Sequence, residues 1–185
     1  FYRREVGAVK SELGIADEKI IFHVTPNFNN DPDYIKGGYY IIKLAEMLKG
    51  ENVKIIAAGS YPENLKVPDN ILLLGKVSDQ NRLAELYSMA DITVIASKRE
   101  TFSMVCAESL CCGTPVAGFK AGGPEAISLD KYSRFVDYGD LKSLYTAVND
   151  LLREARNGEK ISKDASAAYG SRVMSENYIN IYRSF

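Results

Sequence analysis

Ile20-Ile21-Phe22-His23-Val24 is a β-branched and aromatic run with apolar residues on both faces, the pattern of a parallel strand buried between two layers. The polar stretch 25–33, rich in Pro, Asn and Asp, reads as a loop, and Lys36-Gly37 then opens the helical spacing Tyr40, Ile41, Leu44, Ala45, Leu48. This strand–loop–helix unit recurs. The same reasoning predicts strands at 53–58, 71–74, 92–96, 115–118 and 134–136, and helices at 80–89, 103–112 and 124–129, with two or three more from Asp140 onward. A charged lead-in segment, 1–18, carries a helix ending at Leu13-Gly14. Alternation of this kind predicts an α/β fold: a doubly wound, Rossmann-like parallel sheet with helices on both faces, residues 1–185 forming a single domain.

Composition narrows the function. The 185 residues, 46% hydrophobic, suffice for a core without disulfides or a structural metal. Lysine and arginine number 23 against 24 acids, so there is no broad basic footprint for nucleic acid or an anionic membrane. The 12 tyrosines are scattered and form no base-stacking platform. No apolar run reaches the roughly 18 residues of a spanning helix. Cys106, Cys111 and Cys112 lack partners at metal spacing and read as packing residues of a reducing compartment, which predicts a cytoplasmic protein. His23, mid-strand without a nearby acid, reads as a core residue. The start Phe1-Tyr2-Arg3, without a methionine, suggests a piece of a longer chain.

In doubly wound sheets ligands bind beyond the carboxyl ends of the strands. The loops there hold Lys36-Gly37, Gly59-Ser60, Gly75-Lys76-Val77, Glu100-Thr101-Phe102-Ser103 and Gly122-Gly123-Pro124-Glu125. The strongest signal runs from Glu100 through Phe102 to Glu108, then Gly113, Pro115, Val116 and the Gly122-Gly123 pair. A helix opening near Ser103 puts Glu100 at its mouth and Glu108 up to roughly 12 Å further along. The amides of Phe102, Ser103, Met104 and Val105 are then free for an anion, phosphate above all. Glu108 can accept from two ribose hydroxyls and Glu100 from a sugar.

These residues resemble the group 1 (family 4) nucleotide-sugar glycosyltransferases, specifically the C-terminal, donor-binding half of their GT-B fold. Two glutamates with seven residues between them, an aromatic two after the first, Gly-x-Pro-Val and a glycine pair occur in the family's order, over about residues 19–152. The resemblance implies that Glu108 holds the ribose and Glu100 the hydroxyls of the transferred sugar. It implies Lys36 on the donor diphosphate, Lys76 and Val77 at the rim that reads the base, and Gly122 and Gly123 where backbone approaches the ligand. It further implies transfer with retention of configuration, no metal and no cofactor besides the UDP- or GDP-linked donor. The acceptor, a polysaccharide or glycolipid, would be held by an N-terminal domain of the same chain, with the full-length protein at the inner face of the membrane.

The sequence departs from the family at Pro26-Asn27-Phe28, where an arginine for the diphosphate is common; the next arginine after Arg4 is Arg82. Lys36 then works alone with the amides, or Lys98 or Arg99 substitutes, or donor binding is weak. Ser103 stands where glycine is frequent. Two other readings compete: a non-catalytic nucleotide-sugar binder and a nucleotide-sugar 2-epimerase of the same architecture. The apolar stripe Tyr178, Ile179, Ile181, Tyr182, Phe185 in the tail 171–185 either closes the core or, as the resemblance implies, crosses to the N-terminal domain.

Overall fold

The apolar run around Phe22 becomes β1 (Lys19–Asn27), a central strand of a sheet completed by β2 (Val53–Ser60), β3 (Ile71–Gly75), β4 (Ile92–Ile95), β5 (Val116–Phe119) and β6 (Ser133–Val136). This computed structural model describes residues 1–184, apart from the side chain of Asn177. All pairings are parallel, in the order β3-β2-β1-β4-β5-β6. The chain therefore winds outward in both directions from β1 and β4, and the crevice between them is the switch point of the topology.

Among the described residues the α-helices are α1 (Gly7–Glu12), α2 (Gly38–Met47), α3 (Gln80–Met89), α4 (Met104–Cys111), α5 (Gly123–Ile127), α6 (Leu141–Arg153), α7 (Gly158–Tyr169) and α8 (Ser171–Arg183). The strand period of two distributes β1 between both layers. Ile21 lies in one buried cluster with Ile41 and Leu44 of α2, with Leu48 just past that helix, and with Leu144 and Val148 of α6. Ile20 and Phe22 face Val9 of α1 and Leu86 and Tyr87 of α3. Cys106 and Leu110 of α4 meet Ile161 and Ala165 of α7 in a third cluster. Each large side chain so buried is worth about 1.5–3 kcal/mol. At the amino ends of the strands Arg156, between α6 and α7, donates to the carbonyls of Gly113, Ser88 and Ala90 and to the Thr114 hydroxyl. Burial first, and then neighbouring Arg3, pull its pKa down to about 10, so it stays charged at neutral pH.

Several element boundaries differ from the sequence pattern, and one alternative left open there is decided. The strand 20–24 runs on to Asn27, which pairs with Ser60 after a register shift, and the Phe28 amide donates to the Ser60 carbonyl at 2.7 Å. Pro26 sits inside that shift, where a missing N–H breaks no ladder bond. The helix expected from 103 begins at Met104, with Ser103 as its N-cap residue. The strand expected at 115–118 lies one residue later. Finally, α8 packs against α7 while Met174, Tyr178, Ile179, Ile181 and Tyr182 stay exposed, Tyr182 at 77%, so this stripe does not close the core; Phe185 lies outside the described residues. Among those residues no helix is long and apolar enough to cross a membrane.

Candidate functional site

At the carboxyl end of the sheet, over β1, β2 and β3, lies a cleft of about 570 Å³. The strand ends supply Val24, Thr25, Pro26, Ala58, Gly59 and Ser60; the following loops bring Lys36, Lys76, Val77 and the run Glu100 to Val105. Of the residues singled out in the sequence, Lys36, Lys76, Val77, Glu100, Phe102, Ser103, Met104 and Val105 thus meet in one space. Glu108, Gly122 and Gly123 do not line it.

Lys36 precedes the αL residue Gly37, the N-cap position of α2. Its loop is fixed from the side of β4 by the Lys98 amide, which donates to the Ile35 carbonyl at 2.8 Å. Glu100 is fixed through its backbone: its amide donates to Ala121, and its carbonyl accepts from Gly123 at 3.1 Å. The glycine pair therefore positions Glu100 from behind instead of facing the cleft. Between these two anchored segments Lys36 Nζ and Glu100 Oε1 stand 2.7 Å apart, the side chains 25% and 18% exposed. Lys76 is exposed at the rim. Lys98 and Arg99 do not line the cleft; Lys98 lies 5.8 Å over the Tyr138 ring. Among the described residues, Lys36 and Lys76 are the two cations of the cleft wall.

The first turn of α4 points its main-chain donors at this space. The amides of Phe102, Ser103, Met104 and Val105 have no acceptor among the described residues, as the opening turn of a helix dictates. An anion there gains both hydrogen bonds and the helix dipole. Glu108, one turn beyond Val105, is half-buried and accepts from the Tyr87 hydroxyl at 3.1 Å through Oε2. Burial raises its pKa, opposed by that hydrogen bond, and Tyr87 is pushed up by burial and by the glutamate beside it. Its other oxygen, Oε1, has no hydrogen-bond partner among the described residues. Tyr87 escaped the sequence reading because it fits the apolar spacing of α3; its polar tip was the available signal.

Ser103 is strained. Among the described residues it is the non-glycine residue with positive φ, 70°, it is 7% exposed, and its buried hydroxyl has no partner there. The αL backbone costs about 1–2 kcal/mol and an unpaired buried hydroxyl about 1–3 kcal/mol, against about 0.5–1 kcal/mol for the extra freedom of glycine. Ser103→Gly is accordingly expected to stabilise the chain by about 1–4 kcal/mol, read as a higher urea midpoint at unchanged slope.

Comparison with known proteins bears on this site. A family model described as "Glycosyl transferases group 1" matches residues 10–168. N-acetyl-alpha-D-glucosaminyl L-malate synthase of Bacillus anthracis is 26% identical, over all of this chain and 49% of the relative. A D-inositol 3-phosphate glycosyltransferase of Xylanimonas cellulosilytica is 32% identical, over 87% of this chain and 40% of the relative. The chain thus spans about half the length, or less, of these curated relatives. Among solved structures, Anabaena HepE in complex with UDP superposes with a TM-score of 0.75 at 18% identity, over 97% of this chain and 52% of its own. Sucrose-phosphate synthase from Thermosynechococcus elongatus gives 0.76 at 22% identity, over all of this chain and 49% of its own.

Proposed function

The chain belongs to the group 1 glycosyl transferases and has a GT-B-type Rossmann-like domain, and from that premise we propose that it is the donor-binding domain of a retaining glycosyltransferase. It binds a nucleotide-sugar, with UDP the first candidate because a neighbour of like fold is described with UDP. The hexosyl group moves to a polysaccharide or glycolipid acceptor held by an N-terminal domain of the same protein, at the inner face of the membrane. The exposed stripe of α8 suits contact with that domain. Alone, this chain binds donor and transfers little or nothing.

The observation that carries the reading is the meeting of Lys36, Glu100 and the free first turn of α4 at one switch-point cleft. The diphosphate lies against the α4 amides and Lys36. As its bond to the sugar breaks it gains charge, and fixed donors stabilise that charge without reorganisation. Glu100 accepts from sugar hydroxyls, Glu108 from the ribose through Oε1, and the backbone at Lys76-Val77 borders the base. No metal or cofactor is needed in this scheme.

Calorimetric titration with UDP, GDP and ADP tests it. One nucleotide is expected to bind, and Glu108→Ala to weaken that binding at least ten-fold, since hydrogen bonds to a charged group contribute about 1.5–3 kcal/mol. Glu108→Gln retains an acceptor for Tyr87 and separates loss of the ribose contact from loss of packing. Binding that ignores both changes removes Glu108 from the site. A non-catalytic nucleotide-sugar binder is the second reading, favoured by Pro26-Asn27-Phe28 in the place of an arginine; transfer by the chain joined to its N-terminal domain would reject it.

A further inference from the structure

We propose that the Lys36–Glu100 ion pair makes donor binding an exchange that favours the intact nucleotide-sugar over the nucleoside diphosphate released from it. This rests on the donor-site reading above and concerns selection within that site. Three observations lead to it. The cation best placed for a diphosphate is already bonded, at 2.7 Å, to the carboxylate assigned to the sugar. Both partners are largely withdrawn from solvent. Both are anchored through backbone, Lys36 by the Lys98–Ile35 bond and the Gly37 contact with Ala96, and Glu100 by Ala121 and Gly123. The side chains can swing, but the segments that carry them cannot move apart freely.

A diphosphate that takes Lys36 therefore takes it from Glu100. The carboxylate is left next to a new anion, without its counter-charge, in a partly desolvated cleft, and an ionised group stripped of its partner is heavily penalised there. A nucleoside diphosphate offers Glu100 nothing in return, because its phosphate oxygens only accept. A nucleotide-sugar carries hydroxyls, which donate, and hydrogen bonds to a carboxylate are among the strong ones. The sugar thus replaces for Glu100 what the phosphate removes. Once the sugar has left, re-formation of the Lys36–Glu100 pair opposes retention of the diphosphate and favours its departure.

The test is titration of the chain and of Glu100→Gln with UDP, GDP and ADP, each alongside its glucose conjugate. A residue that merely contributes to binding or packing would weaken every ligand when altered. Exchange requires the two ligands to respond differently: Glu100→Gln is expected to tighten the diphosphate about ten-fold and to leave the glucose conjugate unchanged or weaker. The preference for the sugar-bearing ligand then falls ten-fold or more. Nucleotide binding with that preference unchanged overturns the exchange and leaves the donor-site reading standing. Failure of all three nucleotides and their conjugates with both proteins overturns the donor-site reading, and this proposal with it. Diphosphate binding seen only after Glu100→Gln supports the exchange in its strongest form.

Discussion

Gly37→Ala is expected to cost the fold about 2–5 kcal/mol, the sum of about 1–2 kcal/mol for a side chain at positive φ and about 1–3 kcal/mol for overpacking. Gly37 has φ 72°, and an added Cβ would overlap the carbonyl oxygen of Ala96 and lie 2.6 Å from its carbonyl carbon. The obstacle is main chain at the end of β4, which has no rotamer by which to yield. Either the Lys36 loop lifts or the segment leading to Glu100 is pushed aside, so the ion pair is expected to separate along with the loss of stability. Gly14→Ala is the internal comparison: its φ is 63°, but nothing lies within 4 Å of the added atom. It should cost only the αL strain of about 1–2 kcal/mol. Urea midpoints for the two variants measure the difference, and equal losses would mean that the Ala96 carbonyl gives way without penalty.

Acid is expected to remove about 3 kcal/mol of stability through His23 alone. Its ring is buried on β1, Nδ1 bonds to the Val94 carbonyl at 2.9 Å, and Nε2 has no partner. Burial, reinforced by the charge of Lys36 and opposed by the Val94 bond, lowers its pKa from 6.5 to about 4. The folded chain therefore holds the ring neutral where the unfolded chain protonates it. Between pH 6.5 and about 4 the unfolded state binds more protons, so stability rises with pH across that window. The contribution is complete above pH 6.5, shrinks as pH falls, and is gone below about 4. His23→Phe removes the titration. It is expected to be about 1 kcal/mol less stable at pH 7, for the lost bond to Val94, and to lose less than the parent on going to pH 4.5. Parallel pH profiles for the two proteins would show that His23 does not titrate as its burial requires.

The alternation of β-branched runs with helical spacing made the sheet, its covering helices and the loops at its carboxyl end legible in advance. Boundaries were less so where a tertiary partner sets them. Thr25-Pro26-Asn27 has turn composition, yet the Ser60 carbonyl, more than 30 residues away, holds it extended. Lys36 and Glu100 could each be assigned to the ligand end, since their loops follow strands. That they bond each other depends on the adjacency of β1 and β4, which is a property of topology and not of either motif. The bond of Glu108 to Tyr87 likewise arises from the packing of α3 on α4. Arg156 carries no local signal at all: it is one arginine in a charged connection, and only the convergence of three carbonyls on one point gives it a role.

The central place of β1 also sets an order of events in biosynthesis. One edge of β1 is satisfied early, when Ile21 meets Ile55 across α2. The other edge waits for β4, where Ile21 pairs with Ile92. At about 5–20 residues per second that strand follows β2 roughly 2–7 s later on the ribosome. Throughout that interval a central strand of the sheet has one row of amides and carbonyls unpaired, which is the form most open to association with another chain. Conditions that slow translation between β2 and β4 should therefore lower the yield of soluble protein more than equal slowing after β5.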